Sequence, residues 1–232
     1  TQPFYSSLST YAQFLSMFGD SHTFQTFCDK GRNKTLIKQF HGPIKQHFHE
    51  IADLNMRGAG IFFTVNETNL LGRTSRHIQR VRAVFIDLDG VPLPDKFDLQ
   101  PHLIVNTSPG KYHCYWLVSD MPLESFSLYQ EALANKFNSD PKVKDLPRVM
   151  RVAGFFHNKN SKYPITVQDM KRISPYTKEQ VRQRLSLQKP KKNIINYEKT
   201  YKVDYNGNYT YGASKGDRHE QLVKMLVAIK RR

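Results

Sequence analysis

Helical and strand-like patterns of hydrophobic residues alternate along the chain as far as residue 188. Apolar residues that recur three and four positions apart predict helices over residues 4–18, 44–56, 123–137 and 177–187. Runs rich in branched and aromatic residues predict strands at residues 23–28, 61–66, 81–90, 103–107, 111–118, 148–156 and 163–168. A Ser-Pro-Gly turn between the fourth and fifth of these strands predicts a hairpin. The mixture indicates an α+β domain.

The composition changes after residue 188. Residues 189–216 are rich in Lys, Asn and Tyr and show little periodicity, which predicts a basic polar linker. A helical pattern resumes over residues 217–232. Because the chain starts without methionine and stops within this last pattern, we expect a catalytic domain over residues 1–188, the linker, and the truncated start of a C-terminal helical domain.

The strand at residues 81–90 ends in two carboxylates. Asp87 and Asp89 lie two positions apart, and Gly90 then breaks the strand. Because side chains alternate between the faces of a strand, both carboxylates project from the same face. Two negative charges held this close repel one another unless a cation lies between them, so the pattern predicts a divalent-metal site.

Cationic side chains follow on two later strands. Lys111 and His113 lie on one face of the strand that leaves the glycine turn, where they could contact a metal-bound triphosphate. Arg148 and Arg151 lie in otherwise apolar sequence, where an arginine is costly unless it is paired or binds an anion. Since the strand period puts these two on opposite faces unless a bulge intervenes, one is expected to face an acidic or phosphate-bearing site and the other can be structural.

The overall charge narrows the class of partner. Lys and Arg number 35 against 20 Asp and Glu, which gives a net charge of +15 and a pI near 9.8. This excess predicts a polyanionic partner, most often nucleic acid. A membrane surface is the alternative, but the sequence has no long apolar run or signal peptide. Cys28 and Cys114 lie in apolar surroundings and are expected to be buried free thiols. We therefore expect a cytoplasmic protein with no membrane contact.

Three motifs in this order resemble those of the archaeo-eukaryotic primase superfamily, and most of all the RepB-type primase domains of plasmids, phages and other mobile elements. The resemblance spans roughly residues 24–159. The motifs are Asp87-x-Asp89, Ser108-Pro-Gly-Lys111-x-His113, and Asp140 followed by Arg148-x-x-Arg151 and Gly154, with further likeness at Gly58-Ala-Gly60, Thr64-Val-Asn66 and Arg82. The chain departs from the commonest pattern at Ala153, where many relatives have proline.

The resemblance implies a fold and an activity. The fold is an RNA-recognition-like antiparallel catalytic sheet fused to a smaller α/β module, with a C-terminal helical extension. The implied enzyme is a nucleotidyltransferase, a DNA primase or primase-polymerase. It would make or extend primers on a single-stranded DNA template from nucleoside triphosphates, using two Mg²⁺ or Mn²⁺ ions. A fused or separate helicase is the expected partner.

The resemblance also implies roles for individual residues. Asp87 and Asp89 would hold the catalytic metals, with Asp140 as the third carboxylate and Asp145 as its competitor. His113 would be catalytic and, with Lys111, would contact the phosphates of the nucleotide. The remaining candidates are Arg148, Arg151, Asn158 and Lys159 for the nucleotide and Arg73 and Arg82 for nucleic acid.

Three other hypotheses account for part of the sequence. Residues 85–91 also resemble the nucleophile motif of haloacid-dehalogenase-type phosphatases, in which Asp87 would be the nucleophile and Asp89 the acid or base. No later strand ends in a second acidic pair, and the positive charge is then unexplained. His47 and His49 suggest a relaxase-type nicking enzyme, but they lie in a predicted helix. A non-catalytic single-stranded nucleic-acid-binding module fits the charge and aromatics, yet has no need of clustered carboxylates.

Overall fold

Two four-stranded antiparallel sheets and four α-helices are the main elements of the part of the chain that the structure describes. The computed structural model describes residues 8–187 and the backbone of two short strands beyond them. The helices are α1 Leu8–Ser16, α2 Ile44–Met56, α3 Leu123–Phe137 and α4 Lys178–Arg184. The strands up to residue 187 are β1 His22–Cys28, β2 Gln39–Gly42, β3 Ala59–Thr64, β4 Glu67–Thr68, β5 Ile78–Arg80, β6 Ala83–Leu88, β7 Leu103–Ser108, β8 Lys111–Leu117, β9 Val149–Arg151, β10 Phe156–His157, β11 Tyr163–Pro164 and β12 Thr166–Met170.

The two large sheets have different topologies. The first sheet has the order β2-β1-β3-β9, and the second has the order β12-β7-β8-β6. In the second sheet Asp87 of β6 pairs with His113 of β8, which in turn pairs with Val105 of β7. This is the α+β architecture with antiparallel sheets that the sequence predicts.

Aromatic side chains of α1 join the two sheets. The Phe14 ring lies 5.3 Å from that of Phe63 in the first sheet and 6.2 Å from that of Tyr115 in the second, between ring centroids. Phe18 contacts the same two rings. All four side chains are buried, so one continuous core lies under both sheets and fixes the edge at which Asp87 lies.

Helix α3 covers the free edge of β6. The side chain of Gln130 accepts from the backbone N–H of Phe85 at 2.9 Å and donates to its carbonyl oxygen at 3.0 Å. It also donates to the carbonyl of Val143 at 2.8 Å. One amide therefore satisfies both backbone groups that Phe85 presents at an edge where no further strand pairs.

Most predicted elements are confirmed, two of them to the residue. Helices α2 and α3 have the predicted bounds, and α4 begins with a capping box in which Thr177 and Gln180 bond reciprocally. Cys28 and Cys114 are free thiols as predicted, although Cys28 is half-buried rather than buried. Burial raises the pKa of Cys114 to about 12.

The prediction of one strand over residues 148–156 is wrong. The chain pairs as β9, leaves the sheet, and pairs again as β10. Gly154 has a φ of +90°, and a Cβ there would lie 2.9 Å from the backbone nitrogen of Tyr11 in α1. Because only glycine fits this close approach at a positive φ, the strand is interrupted at this position. Strand β2 was not predicted, since only one of its four residues, Phe40, has an apolar side chain.

A second unit of the chain, Lys191–Arg232, is separate from the first, Thr1–Pro190. Within it the structure describes only the pair β13 Lys202–Val203 and β14 Tyr209–Thr210. The predicted linker over residues 189–216 otherwise lies outside the described residues, as does the predicted helix over residues 217–232. Over the residues that are described, no helix has the length and apolar character needed to cross a membrane.

Candidate active site

The paired carboxylates lie beside the two cationic residues of the neighbouring strand. Oδ1 of Asp87 is 3.6 Å from Nε2 of His113, and Oδ1 of Asp89 is 2.7 Å from Nζ of Lys111. Asp87 is half-buried at the end of β6, whereas Asp89 follows the strand and is 59% exposed. The ends of β6 and β8 therefore bring two acidic and two basic side chains close together.

His113 is buried behind Asp87. Its Nδ1 hydrogen bonds with the hydroxyl of Tyr115 at 3.2 Å, so both ring nitrogens have partners. Burial lowers the pKa of His113, the Asp87 charge opposes this, and the positive charge of Arg151 lowers it further. Burial also raises the pKa of Tyr115 well above its usual range, which keeps that hydroxyl protonated.

Asp140 and Asp145 differ in how they relate to this edge. The backbone N–H of Asp140 donates to the carbonyl oxygen of Asp87 at 3.3 Å, so the main chain of Asp140 runs beside Asp87. Its carboxylate accepts from the backbone N–H of Lys142 at 2.9 Å. Asp145 instead forms an ion pair with Arg148. Of the two competing residues, Asp140 has its main chain beside Asp87, whereas the carboxylate of Asp145 pairs with Arg148.

Arg151 lies on the first sheet and faces a carboxylate that the sequence did not single out. Its guanidinium donates to both oxygens of Asp29, at 2.9 and 3.2 Å, and lies 4.6 Å from the Phe62 ring centroid. Asp29 was predicted to lie in a turn, yet its side chain is only 4% exposed. The expectation that a core-strand arginine needs an acidic partner is met, but the partner is 122 residues away.

His157 is a second residue near the site that the sequence did not indicate. Its Nδ1–H donates to the carbonyl oxygen of Thr107 in β7 at 3.1 Å. Burial lowers the pKa of His157, and the nearby charge of Arg151 lowers it further. The sequence gives no sign of a role for His157, because this residue has no recognisable motif spacing to the other candidates. Only the fold shows that it lies near the site.

The remaining nucleotide candidates occupy different environments. Asn158 is buried, and its amide donates to the carbonyl oxygens of Asn55 and Ala59, at 2.9 and 3.1 Å. These contacts hold the chain after β10 against the start of β3. Lys159 beside it is exposed. Arg148 pairs with Asp145 and donates to the carbonyl oxygen of Lys142, so it braces the loop that carries Asp140.

The two nucleic-acid candidates are also placed differently. Arg73 is half-buried, donates to the Gln25 side chain at 2.9 Å, and lies 5.7 Å from the Phe27 ring centroid. Arg82 is buried, and its guanidinium donates to the carbonyl oxygen of Ser21 at 3.0 Å. Burial lowers the pKa of Arg82 to about 10, although Glu67 opposes this. Its placement inside the protein does not favour a direct contact with nucleic acid, whereas that of Arg73 permits one.

The carboxylates of this site are groups of the kind that bind a hard divalent cation. Carboxylate oxygens are the ligands that Mg²⁺ and Mn²⁺ prefer. Asp87 and Asp89 supply them at the end of β6, and the main chain of Asp140 lies beside Asp87. Across residues 8–187, no three acidic, histidine or cysteine side chains already converge as a metal-holding group. The carboxylates of Asp87 and Asp89 face His113 and Lys111 instead.

The fold is similar to that of solved primase domains. The archaeo-eukaryotic primase domain of the cyanophage S-2L primase-polymerase has a TM-score of 0.60 at 17% identity, over 77% of this chain and 98% of that chain. The catalytic domain of primase RepB′ in complex with initiator DNA has a TM-score of 0.55 at 17% identity, over 76% and 89%. Primase RepB′ has a TM-score of 0.59 at 16% identity, over 97% and 69%. These likenesses show an archaeo-eukaryotic primase fold.

Sequence comparison identifies the family. A replication protein of Clostridium perfringens is 26% identical over an alignment of 134 residues, and the match covers 49% of this chain and 33% of that protein. The chain thus spans about a third of the length of this relative. The model of the RepB DNA-primase N-terminal domain matches residues 71–195, more than half of the chain, and this range contains the carboxylates, the hairpin and both arginines of the motifs. The chain belongs to the RepB DNA-primase N-terminal domain family.

Proposed function

We propose that this domain is a primase-polymerase that synthesises or extends primers on single-stranded DNA from nucleoside triphosphates. The observation that carries the proposal is the register of β6 and β8, which sets Asp87 opposite His113 and brings Asp89 to Lys111. Acidic groups for a cation and basic groups for a phosphate chain are the two requirements of nucleotidyl transfer. The haloacid-dehalogenase alternative is not favoured by the family match, and His47 and His49 lie in α2, where a relaxase site is not expected.

In the proposed reaction the 3′-oxygen of the primer or initiating nucleotide attacks the α-phosphorus of the incoming nucleotide. The new bond joins that oxygen to phosphorus, the bond from the α-phosphorus to the bridging oxygen breaks, and pyrophosphate leaves. The hydroxyl proton is lost to water. Lys111 and Arg151 donate N–H groups to the phosphate oxygens and offset the negative charge that develops on the leaving group.

Asp87, Asp89 and Asp140 are the residues that would hold divalent metal. Bound Mg²⁺ or Mn²⁺ would supply the acidity that deprotonates the 3′-hydroxyl and the charge that stabilises pyrophosphate. We favour Asp140 over Asp145 as the third carboxylate, because its main chain bonds to Asp87 while Asp145 pairs with Arg148. His113, buried behind Asp87 and bonded to Tyr115, orients the Asp87 carboxylate.

A synthesis assay tests the proposal. The full chain is mixed with single-stranded DNA, labelled ribo- or deoxyribonucleotides, and Mg²⁺ or Mn²⁺, with and without a primer. Template-dependent products are expected, and they should disappear in the Asp87→Asn/Asp89→Asn variant while DNA binding is retained. The arms of the assay also show which sugar is used and whether a primer is required.

Two results would contradict the proposal. Equal product yields from the wild type and the double variant would remove the two carboxylates from the chemistry. Salt-sensitive DNA binding without product under either metal would favour the non-catalytic binding module. A helicase partner and a cytoplasmic location stay predictions from the sequence.

A further inference from the structure

The ion pair between Asp29 and Arg151 fixes the orientation of the Arg151 guanidinium. Nη2 of Arg151 donates to Oδ1 of Asp29 at 2.9 Å, and Nη1 donates to Oδ2 at 3.2 Å. The backbone N–H of Asn158 donates to Oδ2 at 2.8 Å, which fixes the carboxylate from its other side. The side chains are only 4% and 14% exposed. A two-point contact between planar groups leaves the guanidinium little freedom to rotate.

Gly60 makes room for this contact. A Cβ at this position would lie 2.5 Å from Oδ1 of Asp29 and 2.6 Å from Nη1 of Arg151. Gly60 lies in β3, between β1, which ends just before Asp29, and β9, which carries Arg151. The ion pair therefore crosses β3 at a residue that has no side chain. Any side chain at residue 60 would push Asp29 and Arg151 apart.

The oriented guanidinium lies near the second sheet, because Asn158, which also bonds to Asp29, directly follows His157, and Nδ1 of His157 contacts the carbonyl oxygen of Thr107 in β7. It stacks over Phe62, its partner across β3 and β9, and its charge lowers the pKa values of both His113 and His157. The contacts with Asp29 use two of the five N–H groups of the arginine, so three are left for another acceptor. The phosphate oxygens of a nucleotide at the Asp87 edge are acceptors of the right kind.

We propose that Asp29 is a positioning residue, which with Gly60 holds the Arg151 guanidinium over Phe62 in the orientation that binds nucleotide phosphates. The proposal rests on the proposed function, since it assigns to Arg151 the triphosphate of the same reaction. Asp29 itself does not touch the nucleotide. It acts by limiting the rotation of Arg151 and by offsetting part of its charge.

The alternative is that the pair only stabilises the first sheet. A buried ion pair is weak evidence for stability by itself, because desolvation of both charges opposes their attraction. A purely structural pair would change thermal stability and leave the nucleotide KM of the folded enzyme alone. The positioning role therefore predicts a change in the nucleotide KM, whereas the structural role predicts a change in thermal stability alone.

The experiment compares four variants of this chain with the wild type: Asp29→Asn, Gly60→Ala, Arg151→Gln and Asp29→Asn/Arg151→Gln. Asn keeps the size of Asp but loses its charge. Gly60→Ala keeps both charged side chains in the protein but pushes them apart. Primer extension gives KM and kcat, binding of fluorescently labelled ATP and dATP is measured by anisotropy, and thermal melting reports folding. Asp53→Asn is the matched control, because Asp53 also pairs with an arginine, Arg57, but on the exposed surface of α2.

We expect Asp29→Asn and Gly60→Ala each to raise the nucleotide KM about tenfold and to change kcat less than twofold. The double variant should bind nucleotide no more weakly than Arg151→Gln, because Asp29 acts only through Arg151. If Asp29→Asn fails to fold, Gly60→Ala and the charge-neutral double variant carry the same comparison.

Wild-type KM values in folded Asp29→Asn and Gly60→Ala would overturn the positioning role, and so would additive losses in the double variant. These outcomes leave a synthesising wild type, so the proposed function would stand. A wild type that makes no product would contradict the proposed function, and the anisotropy comparison would still decide the role of Asp29. Failure of the wild type to bind either nucleotide would overturn both.

Discussion

Lys111 and Asp89 form an ion pair on the surface, whereas the neighbouring pair of His113 and Asp87 is largely withdrawn from solvent. The side chains of Lys111 and Asp89 are 41% and 59% exposed. Because exposed ion pairs contribute little to folding, about 0–1 kcal/mol, the closeness of Lys111 to Asp89 is better explained by a role in the site than by stability. Hydration also leaves Lys111 able to exchange its carboxylate partner for a phosphate.

We therefore expect Lys111→Gln to weaken nucleotide binding without weakening the fold. The nucleotide KM should rise about five- to tenfold, since a charge-assisted contact to phosphate is lost, while the free energy of unfolding should change by less than about 0.5 kcal/mol. Extension kinetics and urea denaturation measure the two quantities. Lys38→Gln is the matched control, because Lys38 forms a similarly exposed pair with Glu50, 2.5 Å apart, and should change neither. A KM within twofold of the wild type would remove Lys111 from the phosphate site.

At the scale of single residues, the sequence predicted contacts that follow from strand period. Alternation along each strand grouped Asp87 with Asp89 and Lys111 with His113, and the resemblance to the primase motifs placed the two pairs in one site. Asp29 could not be found in this way, because its partner lies 122 residues away and reaches it across β3. Long-range pairing of this kind depends on sheet order, which local periodicity does not contain.

Strand β6 is the element on which the site depends, and it lies at an edge of the second sheet. Its unpaired side is closed by Gln130 at Phe85 and by the backbone N–H of Asp140 at Asp87. The helix α3 and the loop after it therefore take the place of a fifth strand. This arrangement satisfies the backbone of β6 and at the same time delivers Asp140 to Asp87.

Replacement of Gln130 by leucine should destabilise the domain strongly. The substitution keeps the approximate volume but leaves the N–H and carbonyl of Phe85 and the carbonyl of Val143 without their partner in a buried position. We expect a loss of about 2–4 kcal/mol in the free energy of unfolding, measured by urea denaturation. Glu131→Gln, on the exposed side of the same helix, should change stability by less than about 0.5 kcal/mol. A Gln130→Leu variant as stable as the wild type would show that β6 does not need this brace.

At the scale of elements, the sequence predicted helices better than strand ends. The apolar stripes of α2 and α3 are long and regular, and both are bounded by Pro before the first turn, so their limits were clear. The predicted strand over residues 148–156 fails because the backbone of α1 approaches Gly154 closely. A glycine that is needed for tertiary contact looks, in sequence, like any glycine in a strand.

The whole domain contains a buried histidine where α1 and the two sheets meet. His22 begins β1, is 2% exposed, and lies between the Phe24 and Phe63 rings. Burial, together with the nearby charge of Arg82, lowers its pKa to about 3, although a backbone contact with Leu15 opposes the shift. In the unfolded chain the imidazole has an ordinary pKa of about 6.5.

The folded protein should lose stability as the pH falls through this range. Between about pH 6.5 and 3 the unfolded chain binds a proton at His22 that the folded state does not, so acid favours unfolding. Each pH unit in that range corresponds to about 1.4 kcal/mol for one group, so we expect His22 to account for about 2 kcal/mol between pH 7 and 5. In His22→Leu the difference in unfolding free energy between these two pH values should shrink by that amount. Part of the dependence of the unfolding free energy on pH should remain in this variant, because the pKa values of His102, His113 and His157 are also lowered in the folded protein.

The control for this experiment is His49→Leu, an exposed position on α2 that should leave the slope unchanged. Denaturation curves at pH 7, 6 and 5 give the comparison. Equal slopes in the wild type and His22→Leu would mean that the buried imidazole does not govern acid sensitivity.

The net charge of +15 belongs to the chain as a whole and makes a separate prediction about DNA. Binding to single strands releases counterions, so the logarithm of affinity should fall linearly with the logarithm of salt, by about 0.7 per phosphate contacted. Five contacts would weaken binding about a hundredfold between 50 and 200 mM salt. Arg73 lies in the loop after β4 and contacts Gln25 and Phe27 of β1, so Arg73→Gln should reduce the slope by about 0.7. Arg57→Gln, which removes an equal charge from an exposed ion pair on α2, should leave the slope unchanged.

Because the slope counts local contacts while net charge is the same in both variants, a difference between them would locate the DNA on the face that carries Arg73. Equal slopes would show that the positive charge attracts DNA without that face being its binding surface.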